Sequence, residues 1–216
     1  QAHGGTQKMK KAKDPCWPAL FPEDEIPGMI KDVLDACVHL TRPPKSEKRP
    51  EEAISRQVYQ KLRSMTAYRR GPLEPHFESW LPDLDGRADI RFSCGKGIDT
   101  YFVFEAKRLF VTYPRGKKDS LVKEYVREGM MRFVTGKYAP FQCSSAMLGY
   151  VHDAALAAAR SAVTTEIATN ADALFLVRSL AASSTVADRQ VDDSFHLLEN
   201  NRSFLIYHLL VSIPTE

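Results

Sequence analysis

Residues 88–109 read ADIRFSCGKGIDTYFVFEAKRL, and the rest of the fold is organised around them. ADIRF (88–92) alternates, with Ile90 and Phe92 opposite Asp89 and Arg91. TYFVFEAK (100–107) is rich in aromatic and β-branched residues, the composition of a strand. The intervening CGKGID (94–99) reads as a hairpin turn; it lacks the GxxxxGK[ST] spacing of a phosphate-binding loop. Residues two apart in a strand share a face. Glu105 and Lys107 therefore project together, while Phe104 and Ala106 point the other way. If the two runs pair as a hairpin, Asp89 comes beside Glu105, and two carboxylates and an ammonium converge on one spot.

Just before this stretch, FESW (77–80) reads as a further strand, separated from ADIRF by the turn piece LDG (84–86). Upstream, apolar spacing predicts a helix from Met29 to about Leu40, with Ile30, Leu34 and Val38 on one stripe. TRPPKSEKRP (41–50) is a proline-bounded polar linker. A second helix starts at Pro50, with Glu51 and Glu52 in its first turn and a stripe of Ile54, Val58, Leu62 and Met65. Downstream, a helix is expected over Leu121–Val134, burying Val122, Val126, Gly129, Met130 and Phe133. Then come a strand AMLGYV (146–151), an alanine-rich helix (155–170) and an apolar strand FLIYHLLVSI (204–213). This order predicts an α/β domain over residues 29–216, a central mixed β-sheet flanked by helices. Residues 1–28 are expected to form a flexible basic tail and a proline-rich lead-in.

The chain has 216 residues and a formal net charge of +3. The first twenty residues hold four lysines and one acid; of the 30 basic and 27 acidic residues, that leaves 26 of each for the rest. A neutral body excludes a general polycation that coats nucleic acid, so a polyanion would be met by a local patch or a bound metal. The four cysteines, at 16, 37, 94 and 143, make no CxxC pair and no zinc ladder. Reduced thiols in a cytoplasm are expected. No apolar run approaches the roughly 18 residues of a membrane helix, and the N-terminal lysines precede no apolar stretch, so neither a membrane partner nor a secretory signal is expected.

The grouping of Asp89, Glu105 and Lys107 suits phosphodiester hydrolysis. Magnesium prefers a few carboxylate oxygens and keeps several waters. Such an ion lowers the pKa of bound water and offsets charge developing on phosphate. A lysine beside it can orient the attacking water or stabilise the phosphate oxygens. Glu51, on the core-facing stripe three residues before Ile54, is a fourth member, with Glu52 the alternative if the helix register differs by one. A Glu-x-Lys triplet taken alone also suits an exposed salt bridge on a surface hairpin; the order of elements around it favours chemistry.

In these features residues 51–151 resemble the PD-(D/E)XK nuclease superfamily, the restriction-endonuclease-like fold. The matching pieces are Glu51 in the first core helix, Asp89 in GRADIRF, and Glu105 and Lys107 in FVFEAKRL. Ala88 stands where the family name has proline. The resemblance implies a Mg²⁺-dependent nuclease, with Mn²⁺ as a substitute. Asp89, Glu105, the Ala106 carbonyl and Glu51 would hold the metal, and Lys107 would serve the water. DNA is favoured over RNA by family frequency. EYVREGMMRFVTGKYA with AMLGYV also looks like the downstream half of small bacterial proteins of this superfamily, some linked to defence against phage.

Arg108 and, just beyond it, Lys117, Lys118, Lys123, Arg127 and Arg132 are candidates to grip the phosphate backbone, Arg108, Lys123 and Arg127 foremost, against the alternative of a solvated helix face. Gly129 is read as a close-packing site on the sheet. His76, His152, His196 and His208 lack zinc-pair spacing, and His208, inside an apolar strand, reads as a satisfied core histidine. Two other readings remain: a non-catalytic nucleic-acid-binding module, and a nuclease subunit whose specificity comes from a partner protein or a homodimer.

Overall fold

The hairpin at residues 88–109 is the start of a seven-stranded sheet. The computed structural model describes residues 21–80, 87–95, 100–187, 190–199 and 201–214. A 3-10 turn at Glu23–Glu25 leads into α1 (Ile26–Cys37), followed by α2 (Pro50–Ser64), α3 (Thr66–Arg70), β1 (Glu74–Trp80), β2 (Arg87–Ser93) and β3 (Tyr101–Leu109). The two short strands β4 (Val111–Thr112) and β5 (Lys118–Asp119) flank a tight turn at Pro114–Gly116. Then come α4 (Val122–Glu124), a π-helical turn at Tyr125–Met130, α5 (Met131–Val134), β6 (Ser144–Val151), α6 (Leu156–Thr169), β7 (Leu176–Ala182), β8 (Asp192–Leu197) and β9 (Ser203–Ser212).

The sheet order is β1-β2-β3-β6-β9-β8-β7. The central pairs β3–β6 and β6–β9 are parallel, and the outer pairs are antiparallel. Alternation splits the buried residues between two faces. Phe92, Phe104, Leu148 and Leu209 pack with Ile30, Val33, Ile54 and Val58 of α1 and α2. Val103, Met147, Phe204 and Ile206 pack with Val126, Met130 and Phe133 and with Val163 of α6. The molecule is thus a mixed α/β sheet covered by helices on both faces. No described helix is long and apolar enough to cross a membrane.

Several elements differ from the sequence reading. The first helix begins at Ile26, because Pro27 fits its opening turn. Its buried stripe is Ile26, Met29, Ile30, Val33, Ala36 and Cys37; Leu34 is half-buried and Val38 is 69% exposed. β1 starts three residues earlier than expected, at Glu74. β7 and β8 are additions to the expected strands. LVRSLAA puts its arginine and serine among apolar residues, and DDSFHL turns Asp192, Ser194 and His196 inward, which hides the pattern. The helix over 121–134 buries the five residues expected, but its middle widens into a π turn that also buries Tyr125. The turn LDG (84–86), residues 96–99 of CGKGID and the tail to residue 20 lie outside the described residues.

Candidate active site

The site forms where β2 and β3 part. β2 pairs with β3 from Ser93↔Tyr101 to Ile90↔Phe104, while β3 runs on beside β6 to Leu109↔Val151. Beyond Phe104, two main-chain N–H groups of β3 are taken by carboxylates in place of a strand. The Ala106 N–H donates to Asp89 Oδ2 at 2.8 Å, and the Arg108 N–H donates to Glu51 Oε2 at 2.9 Å. A strand edge left without its ladder needs such acceptors. The geometry therefore fixes Asp89 from the departing strand and Glu51 from the first turn of α2.

Lys107 closes the cluster. Its Nζ donates to Glu105 Oε1 at 2.7 Å, to the Ala106 carbonyl at 2.9 Å and to Glu51 Oε1 at 3.3 Å. The structure thus brings Glu51, Asp89, Glu105, Ala106 and Lys107 together. Glu52 instead pairs with Arg49 and Arg56 on the outer side of α2, so Glu51 is the helix acid that faces the strand.

A further member is Arg132 of α5, expected from sequence only as one of the basic residues that could grip phosphate. It donates to Glu105 Oε1 at 2.6 Å and to the Tyr138 hydroxyl at 2.8 Å, and Tyr138 donates to the Arg87 carbonyl at 2.8 Å. In the sequence it is one basic residue in a run, with no signal that separates it from its neighbours. Gly129 explains how that helix comes close: a Cβ there would strike the Met147 methyl and lie 3.7 Å from Lys107 Cγ. The close-packing reading of Gly129 agrees with this.

The electrostatics are those of charges withdrawn from water. Burial first, then the Glu105 charge, pushes the Asp89 carboxyl well above its usual range. Burial likewise raises Glu105, against the opposing pull of Lys107 and Arg132. Burial disfavours the Lys107 ammonium too, but Glu105, Glu51 and Asp89 outweigh it and hold the proton on more firmly than usual. Glu105 Oε2 is buried and makes no hydrogen bond. Among the described residues, no three histidine, cysteine or carboxylate side chains stand together as a metal cage. Lys107 Nζ bridges Glu105 and Glu51 and supplies the positive charge there.

The donors fit a hard divalent ion in kind. They are Asp89, Glu105 with its unpartnered oxygen, and the Ala106 carbonyl, all oxygen ligands. Neither a protein-family model, a curated protein nor a solved structure matches this chain.

The remaining candidates separate. Arg108 follows the cluster, and its side chain lines an adjoining cleft. Arg127 pairs with Glu166 of α6 at 3.4 Å, and Lys123 is exposed, so these two lie on the helix's outer side. His208 is a satisfied core histidine. Tyr125 Oη lies 2.9 Å from its Nδ1 and Ser194 Oγ 2.8 Å from its Nε2; Ser194 also meets His196 Nε2, and His196 Nδ1 meets the Leu174 carbonyl at 2.7 Å. The Leu174 carbonyl only accepts, so His196 Nδ1 carries a proton, and burial disfavours the charged form of both rings; with both neutral, Ser194 donates to His196, His208 Nε2 donates to Ser194 and Tyr125 donates to His208. Burial lowers His208 to about 3.

Proposed function

We propose that this protein is a metal-dependent nuclease with a restriction-endonuclease-like core, acting on DNA in a reducing cytoplasm. The observation that carries the reading is the convergence of Asp89, Glu105, the Ala106 carbonyl and Lys107 at the end of β3, with Glu51 bound to the same strand edge. Burial pushes the Cys37 thiol up to about 12, which leaves it inert.

Asp89, Glu105 and the Ala106 carbonyl would hold Mg²⁺ or Mn²⁺. Such an ion, when bound, supplies charge to offset phosphate and acidifies a coordinated water. The chain's own residues do the rest. Lys107, held by Glu105, Glu51 and the Ala106 carbonyl, would position or activate the water and stabilise developing negative charge. Glu51 holds Lys107 and the Arg108 N–H in register. Arg132 braces Glu105 from the opposite element, which fixes the carboxylate that must not swing.

The test is cleavage of supercoiled and linear DNA, and of RNA, with Mg²⁺ titrated in. Cleavage of DNA should appear with the metal and vanish in EDTA, and should be lost in Lys107→Ala and Asp89→Ala proteins that keep the wild-type circular dichroism. Cleavage that survives in EDTA refutes the metal mechanism. A protein inactive on every substrate, alone and with candidate partner proteins, favours the non-catalytic binding module.

A further inference from the structure

Beside the cluster lies a cleft of about 740 Å³. One wall is the linker between α1 and α2, with Lys45 and Lys48; the other is the β4–β5 hairpin, with Tyr113 and Arg115. Pro50, next to Glu51, and Arg108, next to Lys107, line its near end. The cleft is therefore bounded by α2 and β3, the two elements that carry Glu51 and Lys107.

The linker wall is held in place. Gln57 accepts from the Thr41 N–H and hydroxyl, both at 3.0 Å, and donates to the Thr41 carbonyl. Arg42 donates to Asp153 Oδ1 at 2.9 Å and to the His152 carbonyl at 3.3 Å. Asp153 also accepts from the Thr112 N–H at 2.8 Å, which ties the hairpin to the floor. Of the two acids lining the cleft, Asp153 is neutralised by Arg42, and Glu47 accepts from the Arg49 N–H. Lys45, Lys48, Arg108 and Arg115 make no ion pair among the described residues. In a chain whose body is formally neutral, this is a local surplus of positive charge.

The four cations on the cleft's walls call for an occupant rich in anionic oxygen acceptors.

We propose that this cleft holds the phosphodiester backbone of the substrate strand, with Lys45, Lys48, Arg108 and Arg115 around the phosphates. The inference rests on the nuclease reading and names where that enzyme grips its substrate. The grip is to the backbone, so it gives register and affinity without sequence preference.

The test is binding of a fluorescein-labelled 20-base-pair DNA duplex in EDTA, read by anisotropy over a range of salt. The triple variant Lys45→Ala/Lys48→Ala/Arg115→Ala touches only exposed side chains. It should bind at least tenfold more weakly at about 100 mM salt, and its slope of log K against log salt should fall by about 2 to 3, at about 0.9 for each phosphate no longer neutralised. The double variant Lys61→Ala/Arg70→Ala, at the far end of α2 and on α3, should bind as wild type. An unchanged affinity and slope in the triple variant, an equal loss in the double variant, or a wild-type protein with no salt-dependent binding overturns the assignment. The reading of the catalytic centre fails separately, if Lys107→Ala leaves cleavage intact.

Discussion

Replacing Lys107 by methionine isolates the charge at the centre of the cluster. Methionine keeps the stem of the side chain, whose Cγ packs against the Gly129 turn, so the loss is that of the ammonium. Its removal leaves Glu105, which is fully buried, with Arg132 as its remaining ion-pair partner among the described residues and Asp89 beside it. Breaking a buried ion pair from one side typically costs about 3–5 kcal/mol. Glu51 is 31% exposed and Asp89 can take up a proton, so the low end, about 3 kcal/mol, applies. At about 2–4 °C per kcal/mol for a chain of this size, Tm should fall by roughly 6–12 °C. Calorimetric or circular-dichroism melting at pH 7.5 in EDTA reads this directly. Adding Mg²⁺ should raise Tm more in the variant than in the wild type, because the ion then supplies the missing positive charge. The double variant Lys107→Met/Glu105→Gln should recover part of the loss, since the orphaned carboxylate is gone. A Lys107→Met protein that melts within about 2 °C of wild type, less than 1 kcal/mol, would refute the view that the ammonium holds the carboxylates together.

Two further outcomes follow from the same structure. His208 is neutral when folded and lowered to about 3, so the unfolded chain binds the extra proton below about pH 6.5; stability is full above that pH and falls toward the folded value. From pH 7 to pH 5 this one ring should remove about 2 kcal/mol, read as a shift in urea midpoint, and His208→Gln should flatten that slope. Equal pH dependence in the two proteins would count against the neutral chain of hydrogen bonds. In Gly149→Ala the new methyl would lie 2.6 Å from Leu210 Cδ2 and 2.9 Å from Leu109 Cδ1. Overpacking of about 1–3 kcal/mol, less up to about 1 kcal/mol from glycine's removal, should lower Tm by a few degrees, and a higher Tm would contradict the packing described.

The β2–β3 hairpin is legible in the sequence because one face must be apolar, and Ile90, Phe92, Phe102 and Phe104 show that period plainly. The same parity puts Glu105 and Lys107 on one face. β7 and β8 are not legible, because Arg178 reaches Asp193 and because Ser194 and His196 are satisfied by partners far along the chain. The stripe of α1 is misplaced because Leu34 and Val38 share its spacing, and only packing against the sheet chooses Met29 and Val33. At the site, residue identity is readable but its cause is not. That Asp89 and Glu51 stand in for a missing strand at Ala106 and Arg108 depends on where β2 leaves β3. The bond from Arg132 to Glu105 depends on the π turn that precedes α5, which no local propensity announces.

The metal centre stands or falls on a crystal structure of the protein soaked in Mn²⁺, with the anomalous signal of the ion as the readout. One strong peak is predicted in contact with the Asp89 and Glu105 carboxylates and the Ala106 carbonyl, with Lys107 Nζ beside it. A soaked crystal with no peak there, or an ion bound elsewhere while Lys107 keeps both carboxylate contacts, would contradict it.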